Sequence, residues 1–281
     1  MWREIRAIAV VGTRMPEGDT IARAAARLRE CLVDREITAA RSTAPVPIAT
    51  LVGDRVAAVE TNGKHLMICF TSGRVLHTHM RMTGSWRVSA SGRSWGGARV
   101  VLEAGDRAAV CLNAPVVELL RPGGATVHPA IAALGPDVLA EPLDVHGVAA
   151  RAAELPPGTE IGDALLDQRV VAGIGNIWRS EALFVTRTHP RQPVDAVDVG
   201  EIVGAAAAMM RASVAGRRPP HRVYRRAGQP CQRCGTAIAS ARVGTQARTA
   251  YWCPRCQPAP GGAVGTGAVG TGAVGTGAVG T

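Results

Sequence analysis

Four cysteines carry the most explicit chemistry in this chain. Cys231, Cys234, Cys253 and Cys256 are spaced C-x2-C-x18-C-x2-C. Two knuckles at that separation can close four thiolates tetrahedrally around one Zn²⁺. The other pairing open to them is two disulfides, which suits poorly a chain with no secretion signal and three further scattered cysteines, Cys31, Cys69 and Cys111. The module is too small to bury a core, so the metal would supply its folding energy. Between the knuckles, VGTQARTAYW has the texture of a hairpin with Arg248 at or near its turn. A guanidinium on a metal-held hairpin is well suited to a phosphate.

Three other groups of residues invite a chemical reading. Of the 32 basic residues, 31 are arginine and one, Lys64, is lysine. Arginine replaces lysine freely at a solvated surface, but not where a compact ammonium or a reversible proton is needed. In LLDQRVVAGIGNIWRSEALF a glycine-rich turn runs straight into a helix. Turn amides and a helix N-terminus offer donors to a phosphate, with the Asn176 side chain beside them. An ordinary glycine cap with Asn176 as N-cap is the competing reading. Arg179, three residues on, faces the same side as Asn176. The turn is no dinucleotide fingerprint, because Trp178 stands where a third glycine would be needed. His77 and His79 fall on one strand face at a possible ligand spacing; with no third ligand in view, structural roles are expected for both.

The elements that must position these groups can be read from texture. After Asp19, TIARAAARLRECL has helical composition, with Asp19 or Thr20 as N-cap and Ile21, Ala24, Ala25 and Leu28 along one stripe. From about Glu36 to Leu120 short β-rich runs recur at roughly ten-residue spacing, which predicts a sandwich or barrel. RPGGATVHPAIAALGPD forms a connector, and helical segments follow. The last 20 residues repeat GAVGT four times from Gly262 and hold too little apolar bulk to order themselves. Charge is divided unevenly. Basic and acidic residues balance at 22 each through Glu201, whereas ten arginines and no acid follow from Ile202. An acid-free arginine stretch points to a polyanion, most often nucleic acid. No apolar run approaches the roughly 20 residues of a membrane span, and a soluble cytoplasmic monomer is expected.

MPEGDT, NGKHL, HTHMRMTGSW, LLDQRVVAGIGNIWRSEALF, VYRRAGQPCQRCG and QARTAYWCPRCQ resemble, in order and spacing, the formamidopyrimidine-DNA glycosylase/endonuclease VIII family. The resemblance covers Met15 to about Gln257, and PEGDT is more similar to the actinobacterial endonuclease VIII branch than to the purine-repair branch. It implies an α+β fold. A β-sandwich catalytic domain with flanking helices would span residues 15–128, a helix-two-turn-helix DNA-binding domain 129–222 and a zinc finger 223–258, leaving a disordered tail at 259–281. It also implies base-excision repair of damaged DNA: removal of oxidised bases, pyrimidines by branch, followed by strand cleavage at the abasic site. Purine repair of formamidopyrimidine or 8-oxoguanine is the alternative within the fold, and a non-catalytic zinc-dependent DNA binder the alternative outside it.

In such a family Pro16 is the N-terminal residue once methionine is removed. A free proline amine titrates near pH 8, so a useful fraction is unprotonated at neutrality, and it can attack the sugar C1′ to form an iminium. An internal proline is a tertiary amide and cannot. Translation is therefore expected to start at Met15, with residues 1–14 a non-native extension; a genuine extension would leave an inactive binder or one requiring processing. By the same resemblance Glu17 is the general acid/base, although alone it would be an ordinary glutamate before a helix. Lys64 reaches the lesion nucleotide. Asn176 and Arg248 grip the flanking phosphates, with Arg179 at the DNA side. Met82, beside Arg81, is an apolar wedge filling the gap left by a flipped base; plain core packing is the other reading of Met82. Arg225 stands where the resemblance implies glycine, so the turn into the zinc finger is expected to differ.

Overall fold

The computed structural model describes residues 16–245 and 247–261. The expectations for residues 1–14 and for the GAVGT repeats lie outside the described residues. Helix α1, Gly18–Leu32, buries Ile21, Ala24, Ala25 and Leu28 as its periodicity requires. It starts earlier than its composition suggests. Glu17 takes the N-cap position, while Asp19 lies inside the first turn and accepts bonds from Trp178 Nε1 at 3.0 Å and Ser213 Oγ at 2.7 Å. Asp19 is thus a tertiary anchor rather than a cap.

Eight strands follow: β1 Ala39–Ser42, β2 Val56–Asn62, β3 His65–Phe70, β4 Val75–His79, β5 Ser85–Ala90, β6 Ala98–Ala104, β7 Arg107–Leu112 and β8 Val116–Leu120. They form two antiparallel four-stranded sheets, ordered β1-β6-β7-β5 and β2-β3-β4-β8. The β-rich texture expected from about Glu36 to Leu120 resolves into these strands. The sequence AARS of β1 was not foreseen, because it has no apolar alternation and is recruited by pairing with β6. Leu66, Ile68 and Leu76 share one buried core with Val100, Leu102, Ala109 and Cys111. Alternation sends His65, Met67, His77 and His79 to the opposite face of their sheet.

The connector holds two single-turn helices, α2 Gly124–Val127 and α3 Pro129–Ala132. Beyond it come α4 Val145–Ala153, α5 Ile161–Ala164, α6 Asn176–Val185 and α7 Val199–Val214, packed around Val148, Ile161, Leu165, Leu183, Val203 and Met210. The hairpin β9 Ala239–Val243 and β10 Arg248–Trp252 is the last element among the described residues, with Arg248 at the first pair of its ladder. Glu181, buried on α6, accepts the backbone N–H groups of Arg222, Val223 and Tyr224, which fixes the approach to this hairpin. Arg225 follows at φ 57. The turn keeps a left-handed conformation of the kind glycine adopts freely, at a cost of about 1–2 kcal/mol for a side chain. Among the described residues no helix is long and apolar enough to cross a membrane.

Candidate active site between the two halves

The turn Gly173–Gly175 delivers α6 to the start of α1. Gly175 occupies the N-cap position of α6 and has no side chain with which to cap it. Glu17 caps it from the other half of the molecule. Its Oε1 accepts from Ile177 N at 2.8 Å, and Oε2 from Gly175 N at 3.1 Å and Trp178 N at 3.2 Å. The backbones meet as well, Gly18 N donating to Gly173 O at 2.9 Å. A Cβ on Gly175 would lie 2.4 Å from Glu17 Cδ, so only glycine permits this approach. Three amides and a helix N-terminus favour the carboxylate. Burial opposes them and prevails: Glu17 is 1% exposed and its pKa is raised to about 7, with Lys64 and the amides holding it from going higher.

Lys64 sits on the tight β2–β3 turn. Gly63 has φ 57 there, and its N–H donates to Asp137 Oδ2 at 2.9 Å. Lys64 Nζ donates to Ile174 O at 2.6 Å, on the same turn that Glu17 caps. Gln168 braces that turn from behind, its Oε1 accepting from Gly173 N and its Nε2 donating to Ile174 O, both at 3.0 Å. Burial lowers the Lys64 pKa to about 8; Glu17 resists the shift and Arg248 adds to it. The only lysine is thus the one whose proton has been made easy to lose, something arginine could not provide.

Asn176 is the first residue of α6 and not its N-cap, since Gly175 holds that position. Its Nδ2 donates to Thr249 O at 2.9 Å, tying α6 to the zinc hairpin, and its Oδ1 accepts from Arg179 at 2.5 Å. Arg179 differs from its expected place at the DNA side. It is fully buried and also donates to Thr249 O at 3.2 Å and Gly162 O at 3.3 Å. Its position in the α6 repeat does put it beside Asn176, but that face turns inward beneath β10. Arg179 orients Asn176 and the β10 backbone from behind. Burial lowers its pKa to about 10, leaving it charged at neutrality.

A cavity of about 250 Å³ brings together Pro16, Glu17, Lys64, Arg81, Met82, Asn176 and Arg248, along with His79 and Gln168. Arg81 and Met82 project from the β4–β5 turn, where Met80 is buried and Arg81 has φ 44. Met82 is 50% exposed, which removes it from the core. Gln168 and Asp137 were not singled out from sequence, and His79, for which a structural role was expected, lines the cavity. Gln168 lies inside the quoted LLDQR run, but nothing in its type or spacing marks it as a brace for a turn five residues on.

The four cysteines converge separately. Their sulfurs all lie within 4.8 Å of one another, with Cys234 to Cys253 and Cys234 to Cys256 at 3.5 Å and Cys231 to Cys256 at 4.0 Å. Zn–S bonds of about 2.3 Å place tetrahedral sulfurs about 3.8 Å apart, so the set fits one zinc ion, and none of the four is in a disulfide. Arg233 N and Cys256 N point at Cys231 and Cys253 sulfurs at 3.4 and 3.5 Å, which suits thiolate ligands. This is a structural zinc site, closed by four protein ligands.

Residues 15–115 match the formamidopyrimidine-DNA glycosylase N-terminal domain, 134–218 the H2TH domain of the same enzymes, and 228–259 the zinc finger found in FPG and IleRS. The chain is 38% identical over 276 residues to probable endonuclease 8 2 of Streptomyces coelicolor, covering 89% of this chain and 98% of that protein. It is 38% identical over 259 residues to DNA-(apurinic or apyrimidinic site) lyase Nei2 of Mycolicibacterium smegmatis, covering 87% and 100%. In fold it is similar to Lactococcus lactis Fpg in complex with N7-benzyl-Fapy-dG DNA, at TM-score 0.75 and 21% identity over 87% of this chain and 100% of that one. The chain belongs to the formamidopyrimidine-DNA glycosylase/endonuclease VIII family.

Proposed function

We propose that this protein is a bifunctional DNA glycosylase and abasic-site lyase of base-excision repair, acting on oxidised bases, pyrimidines by preference, through the amine of Pro16. One observation carries the reading: Pro16 and Glu17 share a cavity with Lys64 and Arg248, and burial holds the Glu17 carboxyl near neutrality. Relatives named endonuclease 8 and DNA-(apurinic or apyrimidinic site) lyase support the same class.

In this mechanism the unprotonated Pro16 nitrogen attacks C1′, a C1′–N bond forms, and the damaged base leaves with the glycosidic electron pair and takes up the proton that the Pro16 nitrogen then sheds. Glu17 gives its proton to the sugar ring oxygen as the ring opens, yielding an iminium. The iminium draws electrons from the sugar, so loss of the C2′ proton expels the 3′ phosphate; a second elimination expels the 5′ phosphate. Lys64 contacts the lesion nucleotide. Asn176 and Arg248 hold the flanking phosphates, and Met82 fills the vacated stack with Arg81 beside it. Arg179 positions Asn176. The chemistry requires a free secondary amine, hence a polypeptide cut immediately before Pro16.

Borohydride trapping on an abasic oligonucleotide tests this. A chain beginning at Pro16 should form a covalent adduct, and the same chain with its terminus blocked should not. Equal trapping by both defeats the proline mechanism. Purine repair is the second reading, because solved neighbours of this fold are bound to Fapy-dG DNA. Release assays with thymine glycol, 5-hydroxyuracil and 8-oxoguanine divide the two; faster release of 8-oxoguanine than of either pyrimidine overturns the pyrimidine preference.

A further inference from the structure

The outer face of the β2-β3-β4-β8 sheet carries a polar cluster that the repair chemistry does not use. His77 on β4 pairs directly with Glu118 on β8, so their side chains share that face. His128, at the junction of α2 and α3, lies over them, its ring centroid 5.1 Å from that of His77. One oxygen, Glu118 Oε2, meets both imidazoles: His77 Nδ1 at 2.7 Å and His128 Nε2 at 3.2 Å. One potential ligand atom from each residue falls within a 4.8 Å group.

We propose that His77, Glu118 and His128 form a second divalent-cation site, of the zinc class, separate from the four-cysteine centre. Two imidazoles and a carboxylate are the donor set that Zn²⁺ and its first-row neighbours take. Metal–ligand bonds of about 2.0–2.2 Å would set the three ligand atoms about 3.3 Å apart. The Glu118 oxygen, on a side chain that is 41% exposed, already stands 2.7 and 3.2 Å from the two ring nitrogens, and all three atoms lie within 4.8 Å of one another. The same exposure admits water as a fourth ligand. The shell behind His77 is in place. His77 Nε2 lies 2.8 Å from Nδ1 of buried His65. When the cation displaces the His77 Nδ1 proton, the remaining ring proton sits on Nε2 and is donated to His65, as ligating histidines require. His128 Nδ1 is buried without a hydrogen-bond partner among the described residues, so Nε2, 3.2 Å from the shared carboxylate oxygen, is the ring nitrogen that faces the site. Occupancy would fasten the connector to the sandwich.

The test counts metal on the full chain with its cysteine centre already loaded. After equilibrium dialysis against buffered Zn²⁺, the wild type should hold a second equivalent. Glu118→Gln and His128→Ala, both at partly exposed side chains, should weaken that second equivalent by more than about tenfold. His146→Ala, an exposed histidine on α4, should retain it. Added zinc should raise the melting temperature of the wild type and His146→Ala but not of the other two, which also shows that all four proteins are folded. A wild type that holds only the cysteine-bound metal overturns the proposal. So does retention of the second equivalent at wild-type affinity by either Glu118→Gln or His128→Ala.

Discussion

The candidate catalytic cavity and the zinc module solve the same problem, holding a few side chains in fixed relation, by opposite means. The module draws its four ligands from residues 231–256 and closes them on one ion. The cavity draws on α1, the β2–β3 turn, the β4–β5 turn, α6 and β10. It is held where backbones touch, at Gly18 against Gly173 and at Gly63 against Ala172. The module is robust while its metal is bound and fails as a unit. The cavity has no such single point of failure, but every group in it is tuned by a partner from another element.

Five perturbations sharpen this contrast. The largest effect is expected at Glu17. Glu17→Gln removes the proton donor and sets an amide N–H₂ against the α6 amides, so abasic-site cleavage should fall by about 10²–10⁴-fold, measured by single-turnover strand scission. Cys253→Ser strikes the module. Hydrogen exchange should show loss of protection in β9 and β10 with the sandwich unchanged, and affinity for abasic DNA should drop by more than about tenfold, because Arg248 and the Thr249 carbonyl lose their frame.

Arg179→Lys keeps the charge but not the fork. It should lower single-turnover cleavage by about 10–150-fold, the equivalent of about 1.5–3 kcal/mol from charged hydrogen bonds, with KM little changed. The pH profile gives a subtler result. In the proposed mechanism Pro16 must lose its proton, which favours pH above about 8, whereas Glu17 must keep its own, which favours pH below about 7. Cleavage should therefore peak between these limits. Lys64 holds the Glu17 pKa down, so Lys64→Ala should carry the alkaline limb to higher pH while lowering the rate overall. The smallest effect is expected from Arg225→Gly. It relieves a left-handed side chain but loosens the unfolded chain, for a net gain of about 0.5 kcal/mol read as a slightly higher melting temperature.

The contrast also explains what could be read in advance. The zinc ligands were legible because tetrahedral closure imposes a spacing on a short stretch of chain. The strands were legible because alternation is local, and β1 escaped because its place in the sheet comes from β6. The roles proposed for Pro16, Glu17 and Lys64 come from resemblance rather than from any periodicity, Lys64 standing out beforehand only as the one lysine; in isolation Glu17 is an unremarked glutamate before a helix. Its role as the cap of α6, the support from Gln168 and Asp137, and the inward turn of Arg179 depend on how the halves dock, and no window of sequence contains both sides. The cluster at His77 was half visible for the same reason: His79 was a false partner two residues away, while Glu118 and His128 arrive from β8 and the connector.

Because the carboxyl that would protonate the sugar is also the cap of α6, the two halves are bound to a shared inheritance. A genetic exchange within the connector, between residues 121 and 135, would cut neither the sandwich core nor the helical one. Both offspring could fold and bind their usual surroundings, yet each would have to rediscover a glycine at position 175 and an acid at position 17 that suit one another. Natural variation in this protein should therefore move freely within each half and in lockstep across the junction.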